Sequence, residues 1–380
     1  MNQGSIQGLH AGTGQPVRLR WTDGRITAME PGDAAAAGDE WLAPALFDPQ
    51  INGFGGVDFQ SDDLVAGDLQ HSVRALQRAG CTRFLLTLIT DDWERLMARL
   101  ERLRGWLLTD PALRSAIVGW HVEGPFLSDE PGFRGAHPAA AMTDPTAAHI
   151  ATLRRVTGED PVLLTLAPER TGAIEAIRAA VGAGMRVSLG HTNASAAAIA
   201  TAVAAGATGF THLGNACPQT LDRHDNIVWR VLDTEGLRVS LIADGRHVSP
   251  PFMRLVHRVL GPERVLHTTD AMAAAGTPPG RYPLGPMWFE VGTDGLVRLP
   301  GGTHFAGSSL TPVEGVFRSA AMLGTSWRQT WAASSTTPAA WLGVPVSLAP
   351  GNRADFCLLR TGASGELVGL RVFARGEEIE

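Results

Sequence analysis

Short apolar runs alternate with longer stretches rich in alanine, leucine and arginine through the middle of the chain. Each run is typical of a buried strand, and each following stretch has the composition and apolar spacing of a helix. The runs are ALFDPQI (45–51), TRFLLTLIT (82–90), AIVGWHVEG (116–124), VLLTLAPE (162–169), RVSLGHT (186–192), TGFTHLGNA (208–216), RVSLIADG (238–245) and VLHTTDAM (265–272). Eight alternating strands and helices predict an α/β fold, a closed (β/α)8 barrel of the TIM type.

The two ends of the chain have a different pattern. Residues 1–43 and 347–380 contain short stretches typical of strands, separated by turn signals such as WTDGRI and APGN. We therefore predict a small β-sandwich domain built from residues 1–43 and 347–380, and a barrel domain formed by residues 44–346. The length of 380 residues agrees with this division, because a barrel of about 250 residues tolerates appended segments.

Composition narrows the possible partners. Hydrophobic residues make up 44% of the chain and charged residues 18%, as in a globular protein. The net charge of -6 gives no basic field for nucleic acid or an anionic membrane surface, so we expect neither partner. The N-terminus lacks a basic start followed by an apolar run, and no apolar stretch is long enough to span a bilayer. We expect a cytoplasmic protein.

The sequence contains no lysine, so all 32 basic residues are arginine. This excludes enzymes that need a lysine amine, among them Schiff-base aldolases, P-loop enzymes and protein kinases. Cys81, Cys217 and Cys357 are far apart and show no CxxC spacing, which argues against a disulfide framework or a thiolate zinc site.

Polar residues close the apolar runs, at the barrel end where catalytic groups collect. These residues are Gln50, Asn52, Glu123, Glu169, His191, His212, Asp244, His247 and Asp270. Two histidines and several carboxylates on one face suit a divalent metal, with zinc as the first candidate. Catalytic zinc usually has three protein ligands and an open position, and Glu123, His191 and His212 supply three.

Seven motifs, in this order, carry a family resemblance: WHVEGPFLS with RGAH, SLGHTNAS, THLGNACP, LIADGRHV, TTDAMAAAG and FAGSSLTP. From about Phe47 to the AGSSLT segment the chain resembles the N-acetylglucosamine-6-phosphate deacetylases of the amidohydrolase superfamily. The resemblance implies a metal-dependent hydrolase that removes the acetyl group of N-acetylglucosamine 6-phosphate. It implies the same three metal ligands, Glu123, His191 and His212.

The resemblance also implies roles for other residues. Asp270 of TTDAM corresponds to the catalytic carboxylate that moves a proton from water to the departing amine. His137 of RGAH resembles the residue that polarises the scissile carbonyl. Gln50 and Asn52 stand where most of the superfamily has an HxH pair. Because neutral amides are poor ligands, we expect one divalent metal ion per subunit, with iron, manganese or cobalt as alternatives to zinc.

Substrate contacts are carried over from the same motifs. The resemblance implies that Asn215 and Ala216 offer backbone N–H groups to a phosphate, that Arg223 binds it, and that His247 contacts the substrate. Arginine suits an anion of this geometry. The remaining residues implied to line the substrate site are Ala136, His137, Ala306, Gly307 and Ser308.

Residues 217–230, CPQTLDRHDNIVWR, depart from the family pattern, in which Glu-Pro-Gly usually follows the arginine. His224 or Arg246 is an alternative to Arg223. The departure leaves other substrates open: N-acetylgalactosamine 6-phosphate, an unphosphorylated acetamido sugar or an N-acyl amino acid. A non-catalytic barrel that senses an amino-sugar phosphate is a further alternative. The roles of Glu169 and His121 also stay open, and the resemblance implies a homodimer.

Overall fold

The computed structural model describes residues 2–300 and 307–380. The N-terminal region contains four strands and a short helix before the fourth. They are β1 (Gln3–His10), β2 (Pro16–Thr22), β3 (Arg25–Pro31), α1 (Ala34–Ala37) and β4 (Trp41–Pro44).

The middle of the chain alternates between strands and helices, as the eight apolar runs predict. The strands from here to the last barrel strand are β5 (Leu46–Ile51), β6 (Gly53–Phe54), β7 (Val57–Asp58), β8 (Cys81–Ile89), β9 (Ile117–Glu123), β10 (Val162–Leu166), β11 (Arg186–Leu189), β12 (Gly209–Phe210), β13 (Arg238–Ile242) and β14 (Val265–Thr268). The helices between them are α2 (Ala66–Arg78), α3 (Trp93–Thr109), α4 (Pro111–Ala116), a 3₁₀ helix (Ala139–Ala141), α5 (Ala147–Thr157), α6 (Ala173–Gly182), α7 (Ala196–Ala204), α8 (Ile227–Leu232) and α9 (Pro250–Leu260).

The rest of the chain completes the fold. It forms β15 (Gly280–Leu284), β16 (Met287–Val291), β17 (Val297–Arg298), α10 (Pro312–Leu323), α11 (Trp327–Thr330), a second 3₁₀ helix (Trp331–Ser334), α12 (Thr336–Trp341), β18 (Phe356–Thr361), β19 (Leu367–Ala374) and β20 (Glu377–Glu378). Strands β15 to β17 form a separate antiparallel sheet, which was not among the predicted elements.

The barrel is an eight-stranded parallel sheet in the order β14-β13-β12-β11-β10-β9-β8-β5. Each apolar run supplies one of its strands, so the predicted (β/α)8 barrel is confirmed. A parallel bridge between Ile51 and Ala271 joins the first strand to the segment after the last. The register pairs Glu123 with Thr165 and Ile242 with Thr268, so the C-terminal strand ends share one edge.

Helix α9 illustrates why the outer helices form where they do. Ser249 caps the N-terminus by accepting a hydrogen bond from the backbone N–H of Phe252, and Pro250 occupies the first turn. The buried residues Met253, Val256 and Leu260 are spaced three and four apart, which places them on one face of the helix. That face packs in the main hydrophobic core around the barrel.

The two chain ends form one seven-stranded sheet in the order β20-β19-β18-β4-β1-β2-β3. The sheet folds onto itself as a sandwich, because Trp21 of β2 contacts Phe356 of β18 and Phe373 of β19, at centroid distances of 5.3 and 6.1 Å. The predicted β-sandwich from both ends is therefore confirmed. The domain boundaries at residues 43/44 and 346/347 stay a prediction.

A buried ion pair joins this sheet to the barrel. Arg83 of β8 lies 3.2 Å from Asp355, which precedes β18, and both side chains are almost fully buried. Arg353 also pairs with Asp355, at 3.0 Å. Such a pair fixes relative orientation more than it adds stability, because the desolvation of two charges offsets much of their attraction.

Candidate active site

The buried side chains of Glu123, His191 and His212 meet at the C-terminal edge of the barrel. Glu123 ends β9, whereas the two histidines lie two residues beyond β11 and β12. Glu123 Oε1 is 2.8 Å from His212 Nε2 and 3.3 Å from His191 Nε2. One donor atom from each residue lies within 4.8 Å of the others. The cluster predicted from strand ends is thus brought together in a form that could hold one cation.

The backbone at this edge is strained. His191, His212, Ala216 and Asp270 have positive φ angles of 49°, 33°, 49° and 50°. Side chains with a Cβ rarely adopt this conformation, which costs on the order of 1 kcal/mol or more for each residue and clusters at functional sites. The strain turns the side chains after β11, β12 and β14 inward from their strand ends.

Neighbouring loops fix the His191 ring. Its Nδ1–H donates to the carbonyl oxygen of Phe133 at 3.2 Å, which leaves a lone pair on Nε2 beside Glu123. A Cβ added at Gly135 would lie 3.0 Å from the His191 ring, so only glycine allows this loop to approach so closely. A carbonyl partner on the outer nitrogen is the usual way to orient a metal-binding imidazole.

The electrostatics of the cluster also suit a cation. Burial by itself would raise the pKa of Glu123, but the adjacent His191 and His212 imidazoles hold that pKa well below the usual value. Burial by itself would lower the pKa of His212, but Glu123 raises it above the usual value. A carboxylate in this position attracts positive charge, and two imidazoles and a carboxylate are suitable ligands for a divalent metal.

Asp270 lies two residues beyond β14 and is linked to the cluster through an amide. Gln50 Nε2 lies 3.0 Å from Asp270 Oδ1 and 3.1 Å from Glu123 Oε1, and it donates to both. Asn52 Nδ2 donates to the same Asp270 oxygen at 2.7 Å. Burial, and to a smaller extent the charge of Glu123, raises the pKa of Asp270 to about 7. A carboxyl group with such a pKa can accept and release a proton near neutral pH.

His137 lies on the loop after β9 and contacts the cluster. Its ring centroid is 4.3 Å from that of His191, and its Nδ1 is 2.8 Å from Thr90 Oγ1. Burial lowers the pKa of His137 to about 3. The imidazole is therefore neutral at physiological pH.

The predicted sugar-lining residues lie beside Asp270. Ser308 donates its backbone N–H to the Asp270 carbonyl oxygen at 2.8 Å. A Cβ on Gly307 would lie 3.1 Å from the Cβ of Met272, and Ala136 packs against the apolar cluster that contains Met272. Ala306 lies outside the described residues.

His247 is held by the carboxylate that precedes it. Asp244 Oδ2 is 2.7 Å from His247 Nδ1, and Asp244 Oδ1 accepts the backbone N–H groups of Arg246 and His247. The predicted substrate contact is thus anchored at the end of β13.

The predicted phosphate residues occupy a more exposed segment. Arg223 and His224 are both exposed, whereas Asn215 and Ala216 are partly buried. The backbone N–H of Asn215 donates to the His212 carbonyl oxygen at 3.0 Å. That Asn215 and Ala216 offer backbone N–H groups to a phosphate stays a prediction.

Two residues with open roles are also placed. Glu169 accepts hydrogen bonds from the Thr192 hydroxyl and the Asn193 backbone N–H, so it holds the residues after His191 and is not among the three converging ligands. His121 is buried inside the barrel, where Nε2 lies 2.8 Å from Thr165 Oγ1. Burial lowers the pKa of His121 to about 4, so it is a neutral internal residue.

The sequence analysis missed Thr90, which contacts His137, and Asp48, which accepts hydrogen bonds from the two residues before Asp270. It also missed the hydrogen bonds that the amides of Gln50 and Asn52 donate to Asp270. Thr90 ends the second apolar run, so a search of strand ends for hydroxyls would have found it. The contacts of Gln50 and Asn52 with Asp270 join the first and last barrel strands, and no local pattern in the sequence signals them.

Fold and site together define the class of protein: a (β/α)8-barrel hydrolase of the amidohydrolase type, which cleaves C–N bonds. No family model matches the chain. The chain is 35% identical over 372 residues to the N-acetylglucosamine-6-phosphate deacetylase of Mus musculus, covering 93% of this chain and 88% of that one. It therefore belongs to the N-acetylglucosamine-6-phosphate deacetylase family.

Two further similarities refine this placement. An N-acetylgalactosamine-6-phosphate deacetylase of Escherichia coli O157:H7 is 32% identical over 357 residues, which cover 91% of each chain. A solved structure of the Mycobacterium smegmatis N-acetyl-D-glucosamine-6-phosphate deacetylase, a mutant in complex with N-acetyl-D-glucosamine 6-phosphate, superimposes with a TM-score of 0.88. It is 29% identical, and the match covers both chains completely.

Proposed function

We propose that this protein hydrolyses N-acetylglucosamine 6-phosphate to glucosamine 6-phosphate and acetate. The observation that carries the proposal is the convergence of Glu123, His191 and His212, with Asp270 linked to Glu123 through Gln50. Amide hydrolysis needs an activated water, a group that polarises the carbonyl and an acid for the amine. The relatives with this activity support the choice of substrate.

One divalent ion would be held by Glu123, His191 and His212, with zinc as the first candidate. Iron, manganese and cobalt also suit a carboxylate with two imidazoles. A bound ion supplies Lewis acidity, which makes water a better nucleophile and polarises the acetamide carbonyl. The amides at Gln50 and Asn52 donate to carboxylates, which argues for a single ion.

Asp270 is the proton carrier in this proposal. Its carboxylate accepts a proton from the attacking water and returns it to the amine nitrogen as the C–N bond breaks. Its burial at the site excludes bulk water from competing for that proton.

His137 is the group that donates to the carbonyl oxygen of the acetamide. The role requires the ring proton on Nε2, so the Thr90 hydroxyl, which lies 3.3 Å from the Glu123 carbonyl oxygen and 2.8 Å from His137 Nδ1, must turn its hydrogen to Nδ1 in the reacting state. A neutral imidazole N–H pointing at a developing oxyanion stabilises the transition state more than the ground state.

Substrate recognition is assigned to residues around this centre. Arg223 pairs with the phosphate, supported by the backbone N–H of Ala216, and His247 contacts the sugar. Ala136, Gly307, Ser308 and Ala306 line the acetamido side. Asn215 adds its backbone N–H to the phosphate contact, beside the turn hydrogen bond that it donates to His212.

Acetate release from purified protein tests the proposal. We expect rapid release from N-acetylglucosamine 6-phosphate, loss of activity after chelation and recovery on adding zinc, while elemental analysis finds one ion per chain. Turnover of the unphosphorylated sugar at an equal rate would reject the phosphate contact. An active protein that retains full activity without metal would reject the site.

N-acetylgalactosamine 6-phosphate is a second candidate substrate. The similarity to the E. coli O157:H7 enzyme and the departure of residues 217–230 from the family pattern favour it. The two sugars differ in the orientation of one hydroxyl, so the ratio of their kcat/KM values discriminates between them. A ratio that favours the galacto sugar would replace the first substrate and leave the chemistry unchanged.

A homodimer and a cytoplasmic location stay predictions. Among residues 2–300 and 307–380, no helix combines the length and apolar character needed to cross a bilayer. Light scattering of the purified protein measures the oligomeric state.

A further inference from the structure

Residues 48–53, at the end of β5, run alongside residues 268–272, at the end of β14. The backbone N–H groups of Asn52 and Gly53 both donate to the Ala271 carbonyl oxygen, at 2.7 and 3.2 Å. Ile51 forms the parallel bridge with Ala271. This pairing at the seam of the barrel places the side chains of the first strand against Asp270.

Asp48 holds the two residues before Asp270. Its Oδ1 accepts the Thr268 hydroxyl at 2.5 Å, and its Oδ2 accepts the backbone N–H and the hydroxyl of Thr269 at 2.9 and 2.6 Å. Asp48 is only 4% exposed. These hydrogen bonds from β5, which runs beside the segment, fix the backbone just before Asp270 and its positive φ.

Gln50 and Asn52 hold the carboxylate itself. Both are buried, and both donate to Oδ1 of Asp270, at 3.0 and 2.7 Å. Gln50 also lies 3.1 and 3.2 Å from the two oxygens of Glu123. A primary amide has two N–H groups, so Gln50 can give one to each carboxylate. From the described residues, no hydrogen bond reaches Oδ2 of Asp270.

The Asn52 amide donates a hydrogen bond to Asp270 from its nitrogen, while its carbonyl oxygen is left without one among the described residues. Within the described part of the chain, the buried Asn52 Oδ1 has no hydrogen-bond partner. Rotating the amide would place that oxygen against the Asp270 carboxylate, where the two would repel each other. The position is therefore better explained by the N–H that it supplies to Asp270 than by stability.

We propose that Gln50 and Asn52 are positioning residues that hold Oδ1 of Asp270, so that Oδ2 is the oxygen that takes and returns the proton. The inference rests on the proposed function, because it assigns proton transfer to Asp270. In the reaction the water oxygen forms a bond to the acetyl carbon and its proton passes to Oδ2. The same proton then moves to the nitrogen as the C–N bond breaks, giving the free amine and acetic acid, which releases its remaining proton to solvent as acetate.

Asn52→Leu tests the role of Asn52, since leucine is similar in size and cannot donate. We expect kcat on N-acetylglucosamine 6-phosphate to fall about 10- to 100-fold, because small misplacements of a reacting group have effects of this order. KM should change less than about threefold, and the zinc content should match that of the wild type, because no side-chain hydrogen bond of Asn52 in the described part of the chain goes to the three ligands. Asn52→Asp, nearly isosteric but unable to donate when ionised, should lose more activity than Asn52→Leu, since it also brings two negative charges together.

A double-mutant cycle separates positioning from a general structural role. In an Asp270→Asn background, Asn52→Leu should reduce the remaining kcat less than twofold, because the group on which Asn52 acts is already gone. If the double variant loses as much kcat as the product of the two single reductions, the inference is wrong. A wild-type kcat in the Asn52→Leu single variant would also overturn it. If Asn52→Leu does not fold, judged by circular dichroism, Asn52→Ala serves in the same cycle, with the same result required.

The proposed function fails by a different result. If the wild-type protein with zinc releases no acetate from either sugar phosphate, or if Asp270→Asn is fully active, the reaction assignment is wrong. If both of those results are as expected and the Asn52 cycle is additive, only the positioning role is wrong.

Discussion

The catalytic edge of the barrel and the segment 217–226 differ in burial and in the kind of contact that holds their side chains. Glu123, His191 and Asp270 are at most 8% exposed, and their contacts come from several strands that are far apart in sequence. In segment 217–226, by contrast, Asp222 accepts the backbone N–H groups of His224 and Asp225 from within the same turn. Pro218 touches Gly132 of the loop that carries His137.

This contrast predicts that substitutions can change chemistry and substrate specificity separately in this protein. A change in the barrel edge disturbs several strands at once, whereas the exposed residues 222–225 have hydrogen bonds within their own turn. We therefore expect substitutions at the edge to reduce kcat strongly and substitutions in the segment to change KM and substrate preference. The following predictions test that division, from the largest effect to the smallest.

Glu123→Gln should have the largest effect. It keeps the shape of the side chain but removes the negative charge that holds the ion, so metal content and activity should fall together. A bound ion supplies several kcal/mol of transition-state stabilisation, so we expect a loss of about 10³-fold or more in kcat. Elemental analysis and acetate release measure the two quantities. A variant with full metal content and activity would remove Glu123 from the ligand set.

Asp270→Asn should lower kcat by about 10²- to 10⁴-fold, the range typical of a lost general acid–base group. The ion should stay bound, because the hydrogen bonds that link Asp270 to the cluster, among the residues described, run through Gln50. The control is Asp294→Asn, an exposed carboxylate on the turn between β16 and β17, which should be fully active. Loss of metal from the Asp270 variant would make Asp270 a ligand instead.

His137→Leu removes the donor to the carbonyl oxygen and should lower kcat about 10²- to 10³-fold, as does the loss of one oxyanion donor in other hydrolases. Zinc content is expected to be unchanged, because His137 packs beside His191 without joining the converging donor atoms. The same measurements on Thr90→Ser, which keeps the hydroxyl partner of Nδ1, provide the control. Equal kcat in the leucine variant would contradict the proposed role.

Arg223→Ala should have the smallest effect on chemistry. We expect KM for the phosphorylated sugar to rise about tenfold, close to the value of one exposed charge-assisted hydrogen bond, with kcat nearly unchanged. The matched control is Arg258→Ala, which removes an exposed arginine of α9 and should leave KM unaltered. If KM does not change, His224→Ala and Arg246→Ala identify the alternative phosphate contact.

Local pattern predicted the barrel and its chemical edge well, for a physical reason. Every strand of a parallel barrel is buried on both faces, so each leaves a continuous apolar run, and its polar end marks the active edge. Glu123, His191 and Asp270 were found by that rule, and the structure brings them to one place.

Other features depend on contacts between distant parts of the chain. The hydrogen bonds from Gln50 and Asn52 to Asp270 follow from the register at the barrel seam, which no single segment encodes. The assignment of Asn215 to a phosphate comes from the family resemblance, whereas its turn with His212 depends on backbone angles that no sequence pattern gives. No local pattern marks the exposed Arg223 as a phosphate contact, because surface arginines are common in any sequence.

The left-handed backbone at His191, His212 and Asp270 has a consequence for engineering this enzyme. Selection for heat resistance alone favours glycine or asparagine at such positions, since these residues adopt positive φ at lower cost. Either replacement would remove a functional side chain. A library of stabilised variants should therefore be screened for metal content as well as melting temperature, so that variants that melt at a higher temperature but bind no metal are not enriched.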